Sequence, residues 1–236
     1  MKLMKFIENM KKMNKKAIIL LSSGLDSLVS LYLAKKEYEI ILAITFDYGQ
    51  KASVDEIEAA RKICEKFQIE HKVIKLPFLA EATDNALVNN DDDLKVDKFD
   101  LDSMKKVWVP NRNSLFLNVA AVYAEKLNAN YIIFGANKEE AQTFSDNSKE
   151  FIDRINKTFE FSTQVKPKVI APCVDMDKVE IVNNGIKQGV DFSLMKSCYN
   201  SSAKTLKSHC GECESCLRLK NAILLSDNKN LINLLF

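Results

Sequence analysis

Lys16-Ala17-Ile18-Ile19-Leu20-Leu21-Ser22-Ser23-Gly24-Leu25-Asp26-Ser27 is the stretch that decides the fold. Ala17 to Leu21 is a short, unbroken apolar run that stops abruptly in small and polar residues, so Lys16–Leu21 reads as a buried strand. A helix is predicted from Asp26 to Lys36. A turn of small residues between a buried strand and a helix N-terminus leaves backbone N–H groups unpaired. The helix dipole adds partial positive charge there, and the two together hold a phosphate. Ser22, Ser23 and Ser27 add hydroxyl donors. The plain alternative is a turn with a serine or aspartate helix cap.

Outward from this loop, strands and helices alternate. Ile40 to Phe46 is a second β-branched apolar run, Ala52–Phe67 a helix, and His71–Leu76 a third strand with alternating Val73 and Ile74. Ala80 to Lys106 loses this pattern. Asn89, Asn90 and Asp91 to Asp93 have the composition of a solvated loop, so the segment reads as a flexible excursion beside a site. Regularity returns with a helix over Asn113–Leu127, strands at Tyr131–Phe134 and Val169–Pro172, and a helix over Asp177–Gln188. The order predicts an α/β fold, a Rossmann-like parallel sheet flanked by helices, with ligands at the carboxyl ends of the strands. Three regions follow: residues 1–15 as a basic helical extension, 16–190 as the nucleotide-binding domain, and 191–236 as a metal-binding region. Leu3, Phe6, Ile7, Met10 and Met13 give the extension an amphipathic face, expected to pack on its own domain.

The composition narrows the partners. Lys and Arg total 34 against 32 Asp and Glu, a formal charge of +2, which lacks the basic excess of a dedicated nucleic-acid binder. A small-molecule substrate is the expectation, with no direct nucleic-acid partner. No apolar run reaches the roughly 18 residues of a membrane span, and the leader has no apolar core of a secretory signal. The chain reads as a cytoplasmic protein without a membrane partner.

Two further strand ends carry chemistry. Thr45-Phe46-Asp47-Tyr48-Gly49-Gln50 sets two aromatics and three hydrogen-bonding side chains together. Phe46 or Tyr48 can stack on a flat heterocycle, and Asp47 or Gln50 can read its polar edges. In Trp108-Val109-Pro110-Asn111-Arg112-Asn113, Arg112 stands at a helix start, where its guanidinium repels the dipole. Facing phosphate or carboxylate it would be compensated.

Cys198, Cys210, Cys213 and Cys216 fall within 19 residues. Their short x2 spacings let thiolates converge on one ion, and four sulfurs fill a tetrahedral shell, so a closed structural zinc is expected. An iron-sulfur cluster and a sulfur-transfer redox pair are the alternatives. His209 reads as a flanking neighbour, Gly211 as the residue that permits a sharp turn, and Cys64 and Cys173 as structural.

The loop lacks the Gly-Lys-Ser/Thr ending of a Walker motif and the spaced glycines of a dinucleotide fingerprint. It resembles instead the S-G-G-x-D-S loop of the ATP pyrophosphatase superfamily, with Ser23 at the second, usually glycine, position. If the backbone there needs a positive φ, serine is strained. Together with T-F-D-Y-G-Q, W-V-P-N-R-N and the cysteine set, the chain after Lys16 resembles the 7-cyano-7-deazaguanine synthase family. Asn111 stands where members commonly have glycine. Gly135 to Ser148 departs from the bacterial G-Y-P-D-C-R run and looks closer to an archaeal-type version.

The resemblance implies ATP, Mg2+ and Zn2+, with 7-carboxy-7-deazaguanine and ammonia as substrates and a homodimeric assembly. It places ATP on Leu21, Ser22, Ser23, Gly24, Leu25, Asp26, Ser27 and Leu28. Catalysis falls to Asp26, Ser27 and Arg112, the substrate to Phe46, Tyr48, Gln50 and Asn113, and zinc to the four cysteines. Three rivals stand beside it. One is a relative that attaches a deazaguanine to another target, and another is a tRNA-thiolating ATP pyrophosphatase. The third is a non-enzymatic zinc ribbon that binds RNA or protein through Lys204, Lys207, Arg218 and Lys220.

Overall fold

The computed structural model describes residues 15–88, 94–96, 106–201 and 209–236. The helical leader and the Asn89 to Asp93 tract expected above lie outside them. Five parallel strands, β1 (Lys16–Leu20), β2 (Glu39–Asp47), β3 (Glu70–Lys75), β4 (Tyr131–Ile133) and β5 (Lys168–Ile170), form one sheet in the order β3-β2-β1-β4-β5. From β1 the chain steps outward to β2 on one side and β4 on the other. This makes the β1/β4 junction the switch point, where crevices open at strand carboxyl ends.

β1 explains why the sheet is covered on both faces. Ile18 and Leu20 enter one apolar cluster, and Ala17, Ile19 and Leu21 enter the other. A period of two sends alternate side chains to opposite faces, and all of these are buried. One face is packed by α4 (Arg112–Leu127) through Leu117, Ala120, Ala121 and Ala124 and by α6 (Lys149–Ser162) through Ile152, Ile155 and Phe159. The other carries α1 (Leu25–Ala34), α2 (Ser53–Phe67), α7 (Lys178–Gln188) and α8 (Glu214–Leu225). Short helices α3 (Phe78–Glu81), α5 (Lys138–Ala141) and α9 (Leu231–Leu235) fill the connections. The C-terminal region shares the core: Leu219, Ala222 and Ile223 of α8 join β1 residues in one cluster, and Cys198, Cys213 and Cys216 enter the other.

The strands and helices expected within the described residues are present, with ends displaced by at most two residues, as fraying termini allow. α6, unassigned from the sequence, has Phe151, Ile152, Ile155 and Phe159 at helical spacing behind a Ser148 cap that accepts the Phe151 N–H at 3.1 Å. Within the predicted excursion, Leu94 is buried, Lys95 bridges antiparallel to Cys213, and the Lys51 N–H donates to Leu87 at 2.9 Å.

Candidate functional site

The loop Leu21 to Gly24, expected to bind phosphate, leaves β1 at the switch point and enters α1. Gly24 is the N-cap in extended conformation (φ −67°, ψ 168°) and provides no side-chain cap. Ser22 Oγ lies 3.2 Å from Ser27 Oγ, and Ser27 Oγ donates to Gly24 O at 3.1 Å. Ser23 does adopt positive φ, 61°. The strain foreseen for serine at this glycine position is therefore present, at about 1–2 kcal/mol. What holds it is burial with hydrogen bonds: Ser23 Oγ donates to Ser22 O (2.5 Å) and to Glu56 O (3.2 Å), and Ser23 O accepts from Lys196 N–H (2.9 Å). Asn111, at the other glycine position, has φ 59°. Asparagine tolerates that region better than most side chains.

From the other side of the switch point, Gly135 at the end of β4 presses on the loop. A Cβ there would lie 3.0 Å from Ser27 N and 3.1 Å from Ser27 Cα. Only glycine lets the β4 end approach the helix N-terminus so closely.

One cavity of about 220 Å³ lies above the sheet. Leu21, Ser22, Gly24, Leu25, Asp26 and Ser27 line it, whereas Ser23 is buried and Leu28 belongs to the core beneath. Phe46, Tyr48, Gln50, Arg112 and Asn113 form further wall, so the loop after β1 and the two later motifs meet here. Phe46 stacks on Phe116 with ring centroids 3.9 Å apart and planes 4° apart. Arg112 starts α4, as expected, and donates to Tyr48 Oη at 3.2 Å. Asn113 Nδ2 is 3.5 Å from Asp146 O. Gln50 is turned into its own loop: Oε1 accepts from Tyr48 N–H (2.9 Å), and Nε2 donates to Phe46 O (2.9 Å) and Glu56 Oε2 (2.8 Å). Its amide therefore shapes the turn that presents Phe46 and Tyr48.

The cavity also gathers residues that sequence reasoning missed. Lys178 Nζ bridges Asp26 Oδ2 and Glu140 Oε1, both at 2.7 Å, with its side chain 11% exposed. Arg218 adds to Glu140 at 3.4 Å and to Glu214 at 2.7 Å. Against the cost of burial, these two cations hold the Glu140 carboxyl down to about 2. Asp26 pairs directly with Lys178, and burial pushes its pKa up; among the described residues its Oδ1 is buried without a hydrogen-bond partner. Glu56 has Gln50 as its side-chain partner, and burial pushes it up to about 7. Lys178 is the first residue of α7, behind an Asp177–Glu180 capping box, so the signal that marked Arg112 was available for it: a cation repelled by a helix N-terminus. Arg218, counted on the basic face of the zinc-ribbon alternative, is instead buried in ion pairs, while Lys204 and Lys207 lie outside the described residues.

The four cysteines converge at the C-terminal end, their Sγ atoms all within 4.8 Å of one another. Cys210 Sγ accepts from Cys213 N–H (3.3 Å) and Glu212 N–H (3.4 Å), and Cys198 Sγ accepts from Cys210 N–H (3.4 Å). Gly211 has φ 79°, the sharp turn its position suggested. His209 accepts from Ser197 N–H at 3.1 Å, and burial pushes its pKa down to about 4, so the ring stays neutral. Cys64 and Cys173 are buried, and burial pushes their thiols up to about 12 and about 11.

This sheet order, with a serine-rich loop at the switch point and a four-cysteine cluster at the C-terminal end, is that of an α/β protein with the adenine nucleotide alpha hydrolase type of fold. NMN synthetase from Francisella tularensis shares the fold, with a TM-score of 0.50 at 18% identity over 92% of this chain and 81% of that one. The chain belongs to the family described as "Queuosine biosynthesis protein QueC", whose family model matches residues 16–226. It is 47% identical over 214 residues to the 7-cyano-7-deazaguanine synthase of Carboxydothermus hydrogenoformans, covering 88% of this chain and 97% of that protein. It is 44% identical over 218 residues to the synthase of that name from Methanosarcina mazei, covering 88% and 93%.

Proposed function

We propose that this chain converts 7-carboxy-7-deazaguanine, ammonia and ATP to 7-cyano-7-deazaguanine. The observation that carries the reading is the single cavity on which the phosphate loop, the Phe46–Tyr48 wall and Arg112 converge. A carboxylate resists ammonia until one of its oxygens becomes a leaving group. In the proposed sequence a carboxylate oxygen attacks the α-phosphorus and pyrophosphate departs onto the loop. Ammonia then adds to the carbonyl carbon, and AMP leaves with loss of a proton from nitrogen, giving the amide. A second ATP adenylates the amide oxygen, and loss of AMP and the N–H protons leaves the nitrile. Ser22 and Ser27 bind the leaving pyrophosphate, and Arg112 and Lys178 offset charge that develops at phosphorus.

Two metals fit the residues present. Asp26 Oδ1, buried and without a hydrogen-bond partner among the described residues, is the oxygen suited to hold magnesium, which when bound screens the phosphate charge. For the thiolates, a tetrahedron with Zn–S bonds of about 2.3 Å has S···S edges of about 3.8 Å. Cys210 and Cys216 Sγ are 3.8 Å apart. A cubane cluster attaches its thiolates to separate irons and spreads them more widely, so the spacing favours one zinc ion. Family membership further supports a homodimeric, cytoplasmic enzyme acting on a small molecule. No helix among the described residues is long and apolar enough to cross a membrane.

The test is mass spectrometry of products after incubation of metal-loaded protein with magnesium-ATP, ammonium and 7-carboxy-7-deazaguanine. The nitrile, with AMP and pyrophosphate, is expected. A product that stops at the amide, or nucleotide turnover indifferent to the deazaguanine, would refute the assignment.

A further inference from the structure

The residue just before the first cysteine of the cluster reaches the phosphate loop. Ser197 Oγ accepts the Leu25 N–H at 3.0 Å, across 172 residues of sequence, and so caps α1 where Gly24 has no side chain to do so. The neighbouring Lys196 N–H donates to Ser23 O at 2.9 Å, so two consecutive residues grip the strained turn. Ser197 is itself held by neighbours of the other cysteines. Its N–H donates to the ring of His209, beside Cys210, at 3.1 Å. Its carbonyl accepts from Ser215 Oγ, between Cys213 and Cys216, at 2.7 Å. Ser197 also lines the cavity, with its Oγ close to Gly24.

A hydroxyl has one donor and two acceptor sites. Accepting from Leu25 leaves the Ser197 O–H to donate, and among the described residues no acceptor takes it. We propose that Ser197 is a positioning residue that couples the metal knuckle to the phosphate loop: the knuckle holds Ser197, Ser197 holds the first turn of α1, and its O–H is the loop's additional donor to a phosphate oxygen. The proposal rests on the nucleotide reading above. Because coupling between two binding sites is reciprocal, whatever the knuckle contributes to phosphate affinity, phosphate returns to metal affinity.

The experiment uses metal-loaded full-length protein and inorganic pyrophosphate with magnesium. Two quantities are read: pyrophosphate affinity by calorimetry, and metal affinity by equilibrium competition with a colorimetric chelator, with and without pyrophosphate. In the unaltered protein pyrophosphate tightens metal retention. Ser197→Ala weakens pyrophosphate binding about tenfold, on the order of one hydrogen bond to a charged group, and abolishes the tightening. Ser197→Thr restores both. Ser215→Ala, which loosens the strap without touching the loop, lowers the tightening and keeps the proposal testable should Ser197→Ala fold poorly. Unchanged pyrophosphate affinity in Ser197→Ala, or tightening that persists there, overturns the coupling and leaves the nucleotide reading standing. Failure of the unaltered protein to bind pyrophosphate overturns both.

Discussion

Glu56 makes stability depend on pH in a direction opposite to that of most carboxylates. Burial raises its pKa from the usual 4.5 to about 7, although Gln50 donates to it and Arg112 and Lys196 lie near enough to pull it down. A carboxyl whose folded pKa is raised contributes stability that is fully present below its unfolded value and is lost as pH rises through the folded one. The interval from 4.5 to about 7 corresponds to about 3 kcal/mol, and since the group borders the cavity the realised loss is about 1–3 kcal/mol. Glu56→Gln keeps the shape and the contact with Gln50 but cannot ionise. Urea unfolding of both proteins from pH 4.5 to 8.5 isolates the term, because other titrating groups cancel in the difference. The unaltered protein should lose about 1–3 kcal/mol relative to Glu56→Gln across this range, mostly between pH 4.5 and about 7, with a plateau above. A difference flat with pH would show that the carboxyl is ionised and solvated in the folded protein, and the argument from burial would fall.

Two other substitutions test the packing that shapes the site. Gly135→Ala places a Cβ 3.0 Å from Ser27 N, where the neighbours are backbone and cannot swing aside, so stability should fall by about 1–3 kcal/mol and pyrophosphate affinity with it. Thermal unfolding and calorimetry read the two, and a variant that matches the unaltered protein in both would mean that β4 and the loop are not in close contact. Lys178→Met leaves Asp26 and Glu140 buried beside an apolar side chain and should cost about 3–5 kcal/mol in chemical denaturation, partly recovered by adding Glu140→Gln. A cost below about 1 kcal/mol would show that the network is not buried in solution.

What could be read from the sequence, and what could not, divides along the range of the interactions. β1, the loop and α1 were legible because their signals are local: an apolar run, a break into small residues, and a resumed helix. The cysteine knuckle was legible for the same reason, since x2 spacing brings thiolates together with little help from the rest of the chain. Even the strain at Ser23 was readable as a condition, and the structure shows that the condition holds. Lys178 escaped because its partner Asp26 is 152 residues away, and nothing in D-K-V-E says which carboxylates will face it. Arg218 was misplaced for a related reason: a basic residue beside a cysteine cluster reads as surface until its buried partner Glu214 and the more distant Glu140 are seen.

The same division bears on how the site is held together. The local motifs supply the groups proposed to bind phosphate, but a serine at positive φ and a helix without its own cap do not hold such a loop alone. The loop is fixed by contacts from far along the chain: Gly135 against Ser27, Lys178 on Asp26, Lys196 on Ser23 and Ser197 on Leu25. Three of these four residues lie beyond Asp177, in α7 and in the segment leading to the cysteines. A fragment ending before Lys178 would therefore keep every residue of the Ser22 to Ser27 motif and lose most of what sets its geometry.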